Sequence, residues 1–277
     1  MVRLILSPYD SGRHGERMGA GPGHLLDGGA AGRLGATEVV TVELENPGFP
    51  QEVRAATELQ RAIAREAALA RSAATAPVVL SGNCNATVGV VAGMTTGTDD
   101  LAVLWLDAHG DLNTPDTTTS GFVDGMGLSV LTGRCWPALA ATVPGFRPVP
   151  DEHVLLIGAR DLDPAEEAVL AESAIRSVPA NAGLVADAVR QLPGHVRRVH
   201  LHVDLDVHDA LLVGRANEYA VPGGPGATEV RRIVEAVAGL LPVVSATFAA
   251  YDPAFDTGDA VRAAALDLLE LTGNILR

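Results

Sequence analysis

Short apolar runs alternate with longer alanine-rich stretches from end to end of the chain. Val2–Leu6, Glu38–Val42, Val78–Leu80, Ala102–Leu106, Val154–Ile157, Ile175–Val178, Val199–Val203 and Val243–Phe248 predict strands. Several are almost continuously apolar, the pattern of strands covered on both faces of a parallel sheet. Between them Gln51–Ala74, Ala86–Gly93, Pro164–Glu172, Ala182–Leu192, Thr228–Leu240 and Asp259–Leu271 predict helices. Val230, Ile233, Val234 and Val237 recur at helical spacing, with Thr228 as the expected N-cap. The alternation predicts a three-layer α/β/α fold with a central, mostly parallel sheet. No linker or charge run divides it, so residues 1–277 read as one domain. The Gly/Pro-rich segments Gly12–Gly32, Asn113–Gly127 and Asp206–Gly226 read as long loops, which in compact domains are commonly functional.

Composition narrows the chemistry. Of 277 residues, 47% are hydrophobic and 19% charged, enough apolar material for a substantial core. A formal net charge of −14 argues against a nucleic-acid surface, which needs a basic footprint. All 20 basic residues are arginine, so Schiff-base chemistry and a Walker A loop are excluded. Two cysteines, Cys84 and Cys135, make no disulfide framework and point to a reducing, cytoplasmic setting. The opening apolar run is too short for a signal peptide, and no run approaches the roughly 20 residues that span a bilayer.

Three predicted strands end in chemistry-bearing residues. Ala102–Leu106 runs into Asp107-Ala108-His109-Gly110-Asp111, and Val199–Val203 into Asp204-Leu205-Asp206. Val78–Leu80 runs into Ser81-Gly82-Asn83-Cys84-Asn85. Carboxyl ends of strands are where such sheets bind ligands. Residues i and i+2 of an extended segment share a face, so Asp204 pairs with Asp206, and Asp107 with His109 and Asp111 if the strand persists. Carboxylates gathered in one crevice repel unless cations neutralise them, and two divalent ions would do so. A carboxylate-rich set with a little imidazole favours manganese over zinc. Singly, each piece has an ordinary structural reading: a turn or cap for Asp-x-Asp, packed histidines for His200 and His202, a small hydrophobe for Cys84. Their joint occurrence at three strand ends points to a metal site.

These residues resemble the ureohydrolase (arginase and agmatinase) family over nearly the whole chain. Tyr9-Asp10-Ser11-Gly12 and Gly21-Pro22 resemble its amino-terminal loop. The likeness is strongest from Asp107-Ala108-His109-Gly110-Asp111-Leu112-Asn113-Thr114-Pro115 through Thr117–Gly121, and returns at Gly158–Pro164 and His200–Asp206. Carried over by position, Asp107, His109, Asp111, Asp204 and Asp206 match metal ligands, with Asp107 and Asp204 touching both ions. The resemblance implies two Mn2+, a bridging water that attacks a guanidinium carbon, and Asp111 carrying its proton to the departing amine. Asn113, Thr118 and Ser120 match residues that hold an α-carboxylate, and Asp163 and Glu166 those that hold an α-ammonium. The implied partner is therefore a small guanidino amino acid, and the implied assembly a homo-oligomer.

Three positions depart from the family pattern. Cys84 occupies the place of a ligand histidine and, as a thiolate, would be a softer, charged ligand. Asp124 stands where arginases carry a histidine near the substrate, credited with proton transfer. Ala250, in Ala250-Tyr251-Asp252-Pro253, stands where a glutamate pairs with the guanidinium, which leaves Asp124 or Asp252 as a replacement carboxylate near the substrate. The leading expectation is a binuclear-manganese amidinohydrolase acting on arginine or an arginine-like amino acid. One alternative is an N-hydroxy-arginine hydrolase releasing hydroxyurea. Another, of a different class, is a non-catalytic member that binds an amino acid or acts in assembly.

Overall fold

The computed structural model describes residues 1–45, 51–95 and 100–277. Its strands are β1 (Val2–Ser7), β2 (Tyr9–Asp10), β3 (Arg13–His14), β4 (Ala36–Thr41), β5 (Ala76–Ser81), β6 (Leu101–Leu106), β7 (Val154–Ile157), β8 (Arg176–Val178), β9 (Arg198–Asp204) and β10 (Val243–Ala249). Its α-helices are α1 (Gly21–Asp27), α2 (Ala30–Leu34), α3 (Glu52–Ser72), α4 (Ala86–Met94), α5 (Gly127–Leu131), α6 (Pro137–Ala140), α7 (Pro164–Glu172), α8 (Ala182–Arg190), α9 (Ala227–Ala238) and α10 (Ala260–Ile275). Eight strands form one sheet in the order β4-β1-β5-β10-β9-β6-β7-β8, every pairing parallel. β2 and β3 make a small antiparallel hairpin.

Strand alternation divides the core in two. Leu104, Leu106, Leu201 and Val203 join the cluster under α1, α2, α8, α9 and α10. Val103, Trp105 and Leu156 join the cluster under α3, α4 and α5. The three expected layers are therefore present. Helix α9 shows how: Val230, Ile233, Val234 and Val237 are all buried on one stripe, each contributing roughly 1.5–3 kcal/mol by leaving water.

All eight expected strands form, with ends shifted by a few residues. Two expectations are corrected. Gly12–Gly32 is not a plain loop but holds the β3 strand, a 3-10 turn at Arg17–Ala20, α1 and the start of α2. Its helices are too short to declare themselves by periodicity and persist through packing of Leu25, Ala30 and Leu34. Thr228 is not an N-cap: α9 begins at Ala227 and Gly226 is the capping residue. Among the described residues, no helix is long and apolar enough to cross a membrane.

Candidate metal centre and substrate cleft

Three neighbouring strands of the sheet, β5, β9 and β6, with β10 between the first two, carry the candidate residues to one edge. β6 stops at Leu106, and Asp107 follows on the Trp105 side, where Trp105 Nε1 donates to Asp107 Oδ2 at 3.0 Å. The strand does not persist, so the condition for Asp107, His109 and Asp111 to share a strand face is not met. His109 N turns back to Asp107 Oδ1 at 2.7 Å, and Asp111 sits at φ +51°, a left-handed conformation unusual outside glycine. Asp206 likewise arrives by a turn, not by alternation. Asp204 closes β9, and its Oδ1 accepts from Asp206 N at 2.7 Å, capping a 3-10 turn over Leu205–Val207. Convergence at the sheet edge therefore depends on tight turns that fold the later acids back onto the strand ends.

Cys84 is set by the loop between β5 and α4. Gly82 lets this loop press against the chain at Tyr9, since a Cβ there would lie 2.3 Å from the Tyr9 carbonyl oxygen. Asp124 then anchors the loop: its carboxylate accepts from Asn83 Nδ2 at 2.9 Å, Cys84 N at 3.0 Å and Asn85 N at 2.9 Å. The Cys84 thiol donates to Asp204 Oδ2 at 2.9 Å.

Two groups of side chains could each hold a divalent ion. Ligand atoms of Cys84, Asp107 and His202 lie within 4.8 Å of one another, as do those of Asp107, His109 and Asp206. Asp107 belongs to both, as a bridging carboxylate would. His109 Nδ1 is 3.3 Å from Asp107 Oδ1 and 3.3 Å from Asp206 Oδ2. Asp111 Oδ2 is buried without a hydrogen-bond partner.

Protonation follows burial. Desolvation, reinforced by neighbouring carboxylates, pushes Asp107, Asp111 and Asp204 above the usual carboxylate range. Burial and Asp204 push the Cys84 thiol well up. Asp206 is buried as well, but His109 beside it holds it low. His109 is held well above its ordinary value despite burial, by Asp206 and Asp107. The raised groups, Asp107, Asp111, Asp204 and Cys84, hold protons more tightly without cations, so metal binding here competes with protons and strengthens as pH rises. Carboxylates with no arginine partner among the described residues, one unpartnered carboxylate oxygen and an imidazole with a thiol form a donor set that fits a pair of divalent cations.

Beside these groups opens a cleft of about 320 Å³, a size suited to a small metabolite. Cys84, His109, Asp111, Asp124, Asp204 and Asp206 line its floor, and Asn113, Thr118, Ser120, Asp163 and Glu166 also line it. The second set forms two hydrogen-bonded groups. Asn113 Nδ2 donates to Asp163 Oδ2 at 2.9 Å, and Thr118 and Ser120 hydroxyls are 3.5 Å apart. Glu166 accepts from Leu112 N at 3.0 Å and Asp163 N at 2.9 Å, tying the α7 N-terminus to the metal-side loop. The structure thus brings the sequence-derived candidates to the lining of one cleft except Asp107, which belongs to both candidate ion groups, and Asp252. Asp124 differs in character from expectation: both its oxygens are already engaged by the Cys84 loop, so it positions that loop. Asp252 does not line the cleft, and its Oδ1 caps Ala254 N at 2.9 Å.

Several residues that line the cleft or support it escaped the sequence. Asn217, buried in the 206–226 loop, donates to Asp206 Oδ2 at 3.2 Å and to the Ala250 carbonyl at 2.8 Å. Tyr219 stacks on Phe122 with ring centroids 5.5 Å apart, joining two long loops at the cleft wall. Arg160 donates to carbonyls of Gly158, Asp206, Val207, His208, Val221 and Pro222, pinning the turn that carries Asp206. No local motif marks Asn217 or Tyr219, but the loop's Gly/Pro content does mark the segment.

A parallel α/β sheet with carboxylates, imidazole and thiol converging at its carboxyl edge beside a metabolite-sized cleft forms a candidate divalent-metal site. The chain belongs to the arginase family, whose sequence profile matches residues 2–272. Among curated relatives, it is 32% identical over 163 residues to the N(omega)-hydroxy-L-arginine amidinohydrolase of Streptomyces lavendulae, covering 58% of this chain and 55% of that one. It is 32% identical over 204 residues to the arginase of Bacillus caldovelox, covering 70% of this chain and 67% of that one. These aligned stretches thus span about half to two thirds of the relatives' own lengths. The solved structure of Bacillus caldovelox arginase superimposes with a TM-score of 0.86 at 26% identity, covering 98% of this chain and 97% of that one.

Proposed function

We propose that this protein is a binuclear-manganese amidinohydrolase whose substrate is an α-amino acid bearing an N-hydroxylated guanidine, N-hydroxy-L-arginine, split to hydroxyurea and an amine. The observation that carries the substrate is Ala250 in the cleft lining, where the family's glutamate would pair with a guanidinium, with neither of the two replacement carboxylates expected from the sequence available there. Asp124 is committed to the Cys84 loop, Asp252 lies outside the cleft lining, and Asn217 takes the Ala250 carbonyl. A hydroxylated guanidine is less basic and needs that carboxylate less. Arginine is the competing substrate within the same chemistry.

The manganese pair, when bound, supplies an acidified water near neutral pH. The residues do the rest. Asp107, Asp204 and Asp206, with His109 and Cys84, would hold the cations. Asp111, buried with one free oxygen, takes the proton as water oxygen bonds to the guanidino carbon. The carbon–nitrogen bond to the alkyl chain then breaks, and Asp111 returns the proton to the departing amine. Asn113, Thr118 and Ser120 receive the α-carboxylate while Asp163 and Glu166 receive the α-ammonium, fixing the guanidine end over the acids. Family likeness is the support for a cytoplasmic homo-oligomer.

The test is a paired assay of manganese-loaded protein on L-arginine and N-hydroxy-L-arginine, reading urea and hydroxyurea. We expect kcat/KM at least about tenfold higher on the hydroxylated substrate, the low end of what one charge-assisted contact is worth. Higher kcat/KM on arginine overturns the substrate assignment. Turnover of neither by protein holding two ions per chain would favour a binding or assembly role.

A further inference from the structure

His200 and His202 both point to the α4 side of β9, and sequence alone gives them the same reading as packed histidines. The structure separates them. His200 satisfies both ring nitrogens with hydroxyls, Nδ1 with Ser245 Oγ at 2.8 Å and Nε2 with Thr247 Oγ1 at 3.3 Å. His202 satisfies only one: Nδ1 meets Thr87 Oγ1 at 2.8 Å, while Nε2 is buried without any hydrogen-bond partner. We propose that His202 Nε2 is a direct ligand of the cation held at Cys84, supplying from β9 the imidazole that position 84 does not.

Geometry carries this assignment. His202 lies two residues before Asp204 on the same strand and therefore on the same face. A ring nitrogen of His202, the Cys84 sulfur and an Asp107 oxygen lie within 4.8 Å of one another, and Nε2 is the ring nitrogen that Thr87 leaves free. Two ligands on opposite sides of one ion at about 2.0–2.3 Å each are separated by comparable distances. The ring cannot swing away. It stacks on Trp105 with centroids 3.7 Å apart and an interplanar angle of 25°, and Thr87 holds its far side. Metal-bound imidazoles ordinarily donate their other N–H to a polar neighbour, the part Thr87 Oγ1 plays here. A buried nitrogen with no partner is costly, and the residue is fully enclosed, so solvent does not satisfy it. Charge favours the assignment as well. Cys84 as a thiolate and the carboxylates of Asp107, Asp111, Asp204 and Asp206 already bring five negative charges to the four positive charges of two divalent cations, and a neutral imidazole adds a donor without adding charge.

This inference rests on the metal-centre reading, and its test separates the two. Full-length protein is labelled with 15N-histidine, loaded with Mn2+, and examined by metal analysis, metal titration and pulsed EPR, alongside His202→Gln. Wild type is expected to hold two ions and to show two distinct histidine-nitrogen couplings, from His109 and His202. His202→Gln, checked for fold by circular dichroism, is expected to keep one coupling. It should also weaken one ion by more than the roughly 10–100-fold that accompanies loss of a residue merely orienting a ligand. Two ions but a single histidine coupling in wild type overturns the inference while leaving the metal centre standing, whether or not the variant folds. Unchanged couplings in folded His202→Gln overturn it equally. Fewer than one ion in wild type overturns the metal centre and this inference together.

Discussion

The cleft has two ends that differ in how far they keep the family pattern. At the amino-acid end, Asn113, Thr118, Ser120, Asp163 and Glu166 all match it, with Asn113, Asp163 and Glu166 hydrogen-bonded as one group beside α7 and Thr118 paired with Ser120. At the guanidine end, a thiol replaces an imidazole at Cys84, a carboxylate replaces a histidine at Asp124, and a methyl replaces a carboxylate at Ala250. The altered residues are linked: Asp124 fixes the loop that carries Cys84, and Asn217 joins the Ala250 carbonyl to Asp206. Asp124, which the family pattern would place against substrate, is therefore a structural partner of Cys84. The difference teaches that recognition of the amino-acid head and treatment of the guanidine tail are separable, so one end can be retuned while the other is held.

The largest expected effect falls on what both ends need. Asp107 is shared by the two candidate ion groups, so Asp107→Asn should strip both ions. Loss of several kcal/mol of charge stabilisation, at 1.36 kcal/mol per factor of ten, corresponds to a fall of about a thousandfold or more in kcat/KM. Metal content and kinetics check it together. A variant holding two ions with near-native kinetics would remove Asp107 from the site.

The amino-acid end is tested by taking away its ligand instead of its residues. Agmatine carries arginine's guanidine but no α-carboxylate, so Asn113, Thr118 and Ser120 lose their partner. One charge-assisted contact is worth about 1.5–3 kcal/mol, so kcat/KM should fall roughly tenfold to a hundredfold from arginine to agmatine. Comparable values for the two would show that these residues do not read the amino-acid head, and would collapse the distinction between the two ends.

Legibility in the sequence followed the same division between local and distant causes. Strands buried on both faces read as unbroken apolar runs, so the sheet was visible, and acids directly after those runs placed Asp107 and Asp204. The routes of Asp111 and Asp206 were not visible, because a positive φ and a 3-10 turn replace the strand geometry that alternation assumes. His202 was hidden for another reason. Its distinction from His200 depends on Trp105, Thr87 and Cys84, which reach it from β6, α4 and the loop before α4. Asp124 was recognised as a departure, but its role required knowing that residues 83–85 fold over it.

The smallest expected effect is on pH dependence and concerns Cys84 alone. In the metal-free protein, burial and Asp204 keep this residue a thiol, so binding an ion must expel its proton and leave a negative ligand on the cation pair. A thiolate offsets more of the cations' charge than a neutral imidazole does, and the nucleophilic water is correspondingly less acidic. Cys84→His should therefore lower that water's pKa and move the ascending limb of the pH–activity curve toward lower pH, by less than about one unit. One unit is 1.36 kcal/mol of differential interaction, a modest share for one ligand among several. The backbone N–H groups that Asp124 holds remain in the variant, so the loop keeps its anchor. Cys84→Ala supplies the contrast, since it removes the ligand without replacing it and should weaken one ion more than the other. An unmoved limb in Cys84→His, with full metal content and native kinetics in Cys84→Ala, would take the sulfur off the metal and leave Ala250 as the distinguishing feature of the guanidine end.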